Sequence, residues 1–165
     1  PFDLSKLVSA VVEVANSVRS GDDIETILKV TDHPLGAAAY RIIGHDSRIG
    51  QVINNLIDNA KSFSKESCSV TIYLDRVFES IEIKIEDQGP GIPEHALEKI
   101  FDRFYTDRPN HGFGQNSGLG LSISRQIINA HRGAIWAENI MKADDDTRYT
   151  NIVGARFVIR LPAAE

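Results

Sequence analysis

Asp87 stands where a carboxylate is costly. It follows Ile81, Ile83 and Ile85, which alternate with Glu82, Lys84 and Glu86 in a strand pattern, and parity puts it on the apolar, core-facing side. An acidic group there needs donors. The blander account is a strand-ending Asp that bonds its own turn. Gly89, Pro90 and Gly91 open a second account, because glycines let a ligand approach the backbone closely. A carboxylate beside such a turn could accept a hydrogen bond from the amino group of adenine.

Two other groups of residues could do chemistry. Gln51, Asn55, Asp58, Asn59 and Ser62 are spaced by three and four, so on a helix they share one face. Asn54, Asn55 and Asn59 are indifferent helix formers, each disfavoured by roughly half a kcal/mol against Ala. Either the face is simply solvated, or its amide oxygens serve a hydrated Mg²⁺ and its amide nitrogens serve phosphate oxygens. Magnesium's habit of taking few protein ligands suits the second account. Then comes GQNSGLGLSI, in which Ser117-Gly118-Leu119-Gly120 opens a helix. Free N–H groups at a helix start attract anions, although glycines that merely end a loop would look the same. No Gly-Lys-Ser/Thr follows, and the spacing is not that of a dinucleotide fingerprint.

The elements that must position these residues follow from period and punctuation. Asp3 caps a helix from about 4 to 18, with Leu7, Val8, Val11, Val12 and Ala15 on its apolar side and Gly21 at its end. Strand-like runs follow at 27–30 and 39–43, around the turn residues Asp32, Pro34 and Gly36. His45-Asp46-Ser47 offers a cap for a helix to about Phe63, striped by Ile49, Val52, Ile53, Leu56, Ile57, Ala60 and Phe63. Val70, Ile72 and Leu74 form a hairpin with the strand that ends at Asp87. A short helical stretch at 94–101 leads to 102–117, a long aperiodic segment expected to act as a mobile lid. A helix at 118–131, stopped by Gly133, precedes strands at 134–138 and 155–161, with an exposed acidic turn at 144–146 between them. This irregular order predicts a two-layer α/β sandwich, helices covering one face of a mixed sheet, in a single domain over 1–165.

Composition narrows the class. The 165 residues carry ordinary apolar and charged fractions, and a net charge of −5 provides no basic face for nucleic acid. Cys68 is the single cysteine and cannot close an internal disulfide; a small, partly buried residue in a reducing compartment is the simplest account. No apolar run approaches the roughly 20 residues needed to span a bilayer. The chain opens Pro-Phe-Asp without an initiator Met, as expected of a segment cut from a longer protein.

Taken in order, the boxes NNLIDNA, DQGPGI, FDRFY and GLGLSI, with HRGAIWAEN and GARFVIRLP behind them, resemble the N, G1, F and G2 boxes and closing strands of sensor histidine kinases. Within that family NLIDNAKSFS is most similar to envelope-sensing kinases of the ChvG and ExoS type. The resemblance implies a Bergerat-type fold, shared with gyrase, Hsp90 and MutL, that binds ATP and Mg²⁺. Carried over by position, Asn55 is the metal ligand, Asn59 a phosphate or metal-shell contact, and Asp87 the adenine anchor. Gly89, Gly91 and Ile92 then flank the base, and Gly118, Leu119 and Gly120 form the phosphate-binding helix start. Phe101 and Phe104 fix the lid. The Lys that many relatives carry after the N box is replaced by Ser62, beside Lys61, which leaves Arg103, Arg108 and Gln115 as candidate phosphate contacts.

Gln51 stands where gyrase-like relatives have a Glu general base. An amide cannot activate water, and this favours transfer to histidine over a stand-alone ATPase or clamp, the alternative of the same fold. None of His33, His45, His95, His111 and His131 lies in a phosphoacceptor context, and His131 reads as a cation at a helix end. The resemblance therefore implies a catalytic domain that needs a separate dimerisation and phosphoacceptor domain, with a response regulator downstream. The domain would be cytoplasmic, and its parent an inner-membrane sensor.

Overall fold

Asp3 starts the first helix as its side chain allows: Oδ1 accepts from the N–H groups of Ser5 at 2.9 Å and Lys6 at 3.4 Å. In the computed structural model, which describes residues 1–18, 24–64, 68–105, 119–143, 145 and 150–165, α1 runs Leu4–Ser17 and buries Leu4, Val8, Val11 and Val12. The second helix, α2, runs Asp46–Phe63 and buries Ile49, Val52, Ile53, Leu56, Ile57 and Ala60. His45 takes its N-cap position without a side-chain bond, and the Asp46 carboxylate instead accepts from Ser47 N at 2.7 Å. Helix α3 runs Gly120–Ala130.

Five strands form one sheet in the order β2-β4-β5-β7-β6, with β2 (Glu25–Val30), β4 (Ser69–Val77), β5 (Ser80–Glu86), β6 (Ala134–Ala143) and β7 (Thr150–Pro162). Strands β2 and β4 are parallel; every other pairing is antiparallel. A separate short pair joins β1 (Phe2–Asp3) to β3 (Arg41–Ile42). Ile72, Leu74, Ile81, Ile83, Ile85, Phe157, Ile159 and Leu161 meet the helical stripes in one core, which is the expected two-layer α/β sandwich. Apart from Glu82, which Arg160 Nε reaches at 2.9 Å and which is only 6% exposed, the polar residues of β5 face the other side half-buried.

Several elements differ from the sequence reading, each for a local reason. The strand expected at 39–43 is mostly a 3₁₀ turn, Gly36–Tyr40, with only β3 extended. Gly36 has φ +55°, the alanines at 37–39 lack the branching that favours strands, and the Tyr40 hydroxyl donates back to Thr31 O. The helix expected at 94–101 splits into 3₁₀ turns at Glu94–Ala96 and Lys99–Phe101, too short to sustain a nucleated α-helix.

At the end of α3, Arg132 rather than Gly133 takes the left-handed conformation, with φ 58°. Arg132 N donates to Asn129 O and Gly133 N to Ile128 O, the paired bonds of a Schellman stop. His131 is held at both ring nitrogens. Its Nε2 lies 3.0 Å from the His45 N–H, and its Nδ1 lies 2.7 Å from Ile127 O. Strands β6 and β7 pair as far as Ala143 and Thr150, well beyond the expected ends. Gly21, Arg108, Gln115, Gly118, Asp144, Asp146 and most of the expected lid lie outside the described residues; Asp145 is exposed.

Candidate functional site

Strand β5 ends at Glu86, and the next residue turns its carboxylate inward. Asp87 is 3% exposed. Its own N–H donates to Ala155 O at 3.0 Å, while Oδ1 accepts from Ala155 N at 3.1 Å and Gly89 N at 2.9 Å. Burial pushes its carboxyl above the ordinary range, and the N–H groups of Gly89 and Ala155 pull it partway back. Among the described residues both donors land on Oδ1. The bland account of a turn-bonding Asp is thus true of one oxygen only.

The turn after Asp87 crosses the sheet toward β6. Gly91 holds φ +82°, a conformation that side chains disfavour. Ile92 N then donates to Asn139 Oδ1 at 2.7 Å, and Asn139 Nδ2 donates to Ile92 O at 2.7 Å. Gly154 of β7 lies under this crossing, and a Cβ there would overlap the Asp87 carbonyl oxygen.

An open pocket forms between this turn and the helices. Asn59 and Phe63 come from the end of α2; Asp87, Gly91, Ile92 and Pro93 come from the turn. Ile100, Leu121, Ala155 and Phe157 supply the remaining apolar wall. Asp87 and Asn59 are its groups able to make directed bonds, which suits a flat, mostly apolar ligand with a polar edge.

Asn55 lies one turn before Asn59 and faces the start of α3. Its Nδ2 is 3.5 Å from Gly120 O and 3.4 Å from Ser124 Oγ, which itself donates to Gly120 O at 2.8 Å. A carbonyl and a hydroxyl already committed as donor can only accept, so the amide nitrogen faces α3 and Oδ1 is turned away from it. Leu119 occupies the N-cap of α3, and Gly120 is its first residue. Ser62 Oγ donates back to Asn59 O, and Lys61 Nζ reaches Ala15 O on α1. Among the described residues no group of three His, Cys, Asp or Glu could hold a metal ion.

Phe101 is buried edge-on against Phe157, ring centroids 6.1 Å apart, with the Arg125 guanidinium 4.1 Å above it. Arg125 also binds Glu98 at 2.7 Å and Ile135 O at 3.3 Å. Phe104 is exposed at φ 64° under the Arg103 guanidinium, and neither residue lines the pocket. The structure therefore brings together Asn59, Asp87, Gly91 and Ile92, sets Gly89 beneath them, and places Asn55, Leu119 and Gly120 side by side at the start of α3.

Sequence reasoning missed Asn139, Ser124, Gly154 and the apolar wall. Asn139 did leave a signal. It shares the parity of Ile135 and Ala137, so it is an amide at a core-facing strand position.

Three comparisons locate this arrangement among known proteins. The family described as histidine kinase-, DNA gyrase B-, and HSP90-like ATPase matches residues 44–165. The sensor protein ChvG of Agrobacterium fabrum is 46% identical over 168 aligned residues, covering 100% of this chain and 27% of that protein. Among solved structures, the mycobacterial sensor histidine kinase MprB superposes with a TM-score of 0.75 at 30% identity, over 98% of this chain and 95% of that one. The histidine kinase ThkA, solved in complex with the response regulator protein TrrA, gives 0.74 at 27% identity, over 99% of this chain and 41% of that one.

Proposed function

The chain belongs to the histidine kinase-, DNA gyrase B-, and HSP90-like ATPase family, and from that premise we propose that it binds Mg-ATP and presents the γ-phosphoryl group to a histidine on a separate dimerisation and phosphoacceptor domain of a longer sensor kinase. The chain spans 27% of the length of ChvG, which leaves room in such a protein for that domain and for a sensor. The observation that carries the reading is Asp87, a buried carboxylate at the wall of an apolar pocket whose main-chain donors converge on one oxygen. The amino group of adenine is a neutral donor of the right size to meet the other oxygen. Gly91 and Ile92 would form the wall beside the base, with Gly89 bonded to the first Asp87 oxygen behind them.

Phosphoryl transfer needs positioning and charge stabilisation more than covalent help. The start of α3 at Leu119 and Gly120, with Gly118 before it, would receive the phosphates at its free N–H groups. Mg²⁺ would be held by Asn55, whose Oδ1 is left available by the bonds on its nitrogen, with Asn59 one turn away. An ion that prefers water, phosphate and few protein oxygens suits a site without a carboxylate cluster among the described residues. Bound there, the ion would neutralise charge on the triphosphate. Arg103, Phe104 and Gln115 belong to the segment that would close over it. Gln51 is exposed one turn before Asn55 and cannot act as a general base, which suits a neutral imidazole acceptor rather than water.

Calorimetric titration with Mg-ATP tests this. Asp87→Asn should weaken binding by roughly thirtyfold, the equivalent of a charge-assisted hydrogen bond of about 2 kcal/mol. Unchanged affinity in that variant would put the base elsewhere. Brisk ATP hydrolysis by the isolated chain would favour a hydrolase or ATP-gated clamp. A response regulator would act downstream, as TrrA accompanies ThkA. Membrane attachment would come from other parts of the longer protein, since no helix among the described residues is long and apolar enough to cross a membrane.

A further inference from the structure

The turn from Asp87 to Ile92 is fastened at both ends to one cross-strand row. Asn139 of β6 stands directly opposite Ala155 of β7. Ala155 holds the first end: its C=O accepts from the Asp87 N–H at 3.0 Å, and its N–H donates to the Asp87 carboxylate at 3.1 Å. Asn139 holds the second end, its amide pairing with both the N–H and the C=O of Ile92 at 2.7 Å each. Gly91, immediately before that clamp, has φ +82°, and a Cβ on it would run into Asn139 and Ile152. Without Asn139 the Ile92 peptide has no hydrogen-bond partner among the described residues, and the far end of the turn is held only by packing of the Ile92 side chain against the core.

We infer that Asn139 is a positioning residue for the nucleotide. It does not line the pocket itself; it fixes how far the Gly91–Ile92 wall stands from the Asp87 carboxylate, and so the width of the slot for the base. This rests on the ATP reading above. A slot held at one width before the ligand arrives avoids an ordering cost at binding, and that saving appears as affinity. The clamp acts on the base side, so it affects all adenine nucleotides alike and leaves metal binding at Asn55 untouched.

Asn139→Leu keeps the side-chain volume and removes both bonds. Calorimetry on this chain should show Kd for ADP and for Mg-ATP rising by the same factor, about tenfold, with the Mg²⁺ concentration at half-effect unchanged. Hydrogen exchange at the Ile92 amide should quicken while the melting temperature stays near that of the parent. If leucine unfolds the chain, Asn139→Ser, too short to reach both atoms, carries the same comparison. Parental affinity in a variant whose Ile92 amide exchanges faster would overturn the inference and leave the ATP reading standing. A loss confined to ATP and absent with ADP would overturn it too. Failure of the unsubstituted chain to bind either nucleotide would sink the ATP reading, and this inference with it.

Discussion

Burial raises the Asp87 carboxyl above its ordinary range, and the two N–H groups on Oδ1 offset only part of the shift. The sign of the consequence follows from linkage. A group whose folded pKa is raised favours the folded state most at low pH, where it is neutral in both states, and that contribution is lost as pH rises through the folded value. Asp87→Asn removes this liability. The variant should therefore melt above the parent at neutral pH, with the gap shrinking as pH falls into the ordinary carboxylate range. Thermal melts of both proteins across that window check it, and a gap that widens on acidification would contradict the burial argument. One residue would then show a carboxylate kept for binding at the expense of stability. Asp87 was legible in the sequence because strand parity and the glycines after it are local. For Asn139 only a core-facing parity was legible; its partner lies 47 residues away, and the strand pattern does not say which peptide it meets.

Strand β2 is the open edge of the sheet beside β4, and α1 closes it with one side chain. Asn16 Oδ1 accepts from Thr26 N at 3.0 Å, and its Nδ2 donates to Thr26 O at 2.9 Å. This is the same pairing that Asn139 makes with Ile92: a side-chain amide replaces a missing strand and satisfies both groups of one peptide. Thr26 itself is 2% exposed, and its hydroxyl has no hydrogen-bond partner among the described residues. Replacing that hydroxyl with a methyl of similar shape removes an unsatisfied polar atom, so Thr26→Val should stabilise the fold by about 1 kcal/mol in denaturant titrations, with an unchanged slope. A loss of stability would mean that the hydroxyl has a partner after all. Element types and caps set by neighbouring residues, such as Asp3 on α1 and the stripe of α2, could be read from the sequence. The 3₁₀ turns at Gly36–Tyr40 and Glu94–Phe101 could not, because tertiary contacts such as the Tyr40 hydroxyl bond decide between short alternatives.

At the scale of the whole chain, the helix layer covers one face of the sheet and charged rows occupy the other. Arg156 there bridges Glu86 at 2.7 Å and Glu138 at 3.2 Å. Among the described histidines, both ring nitrogens of His131 are engaged and His33 Nδ1 accepts from Leu35 N, and the resemblance places the phosphoacceptor on a separate domain. Labelled ATP should therefore leave no phosphohistidine on this chain alone, yet label a phosphoacceptor domain of a related sensor kinase added in trans. Acid-labile label on the isolated chain would refute that division of labour. The two-layer architecture was readable from the irregular order of helices and hairpins, but the strand order, with β7 inserted between β5 and β6, rests on pairings no local pattern encodes. Strand register adds a last consequence. Just beyond Asn139 the ladder skips, Ile140 facing Gly154 while Met141 faces Ile152, so Val153 is looped out. Such a skip works as an expansion joint. Lengthening or trimming the distal tip of the β6–β7 arm should be taken up there, leaving the anchored row and the slot beside it at their original spacing.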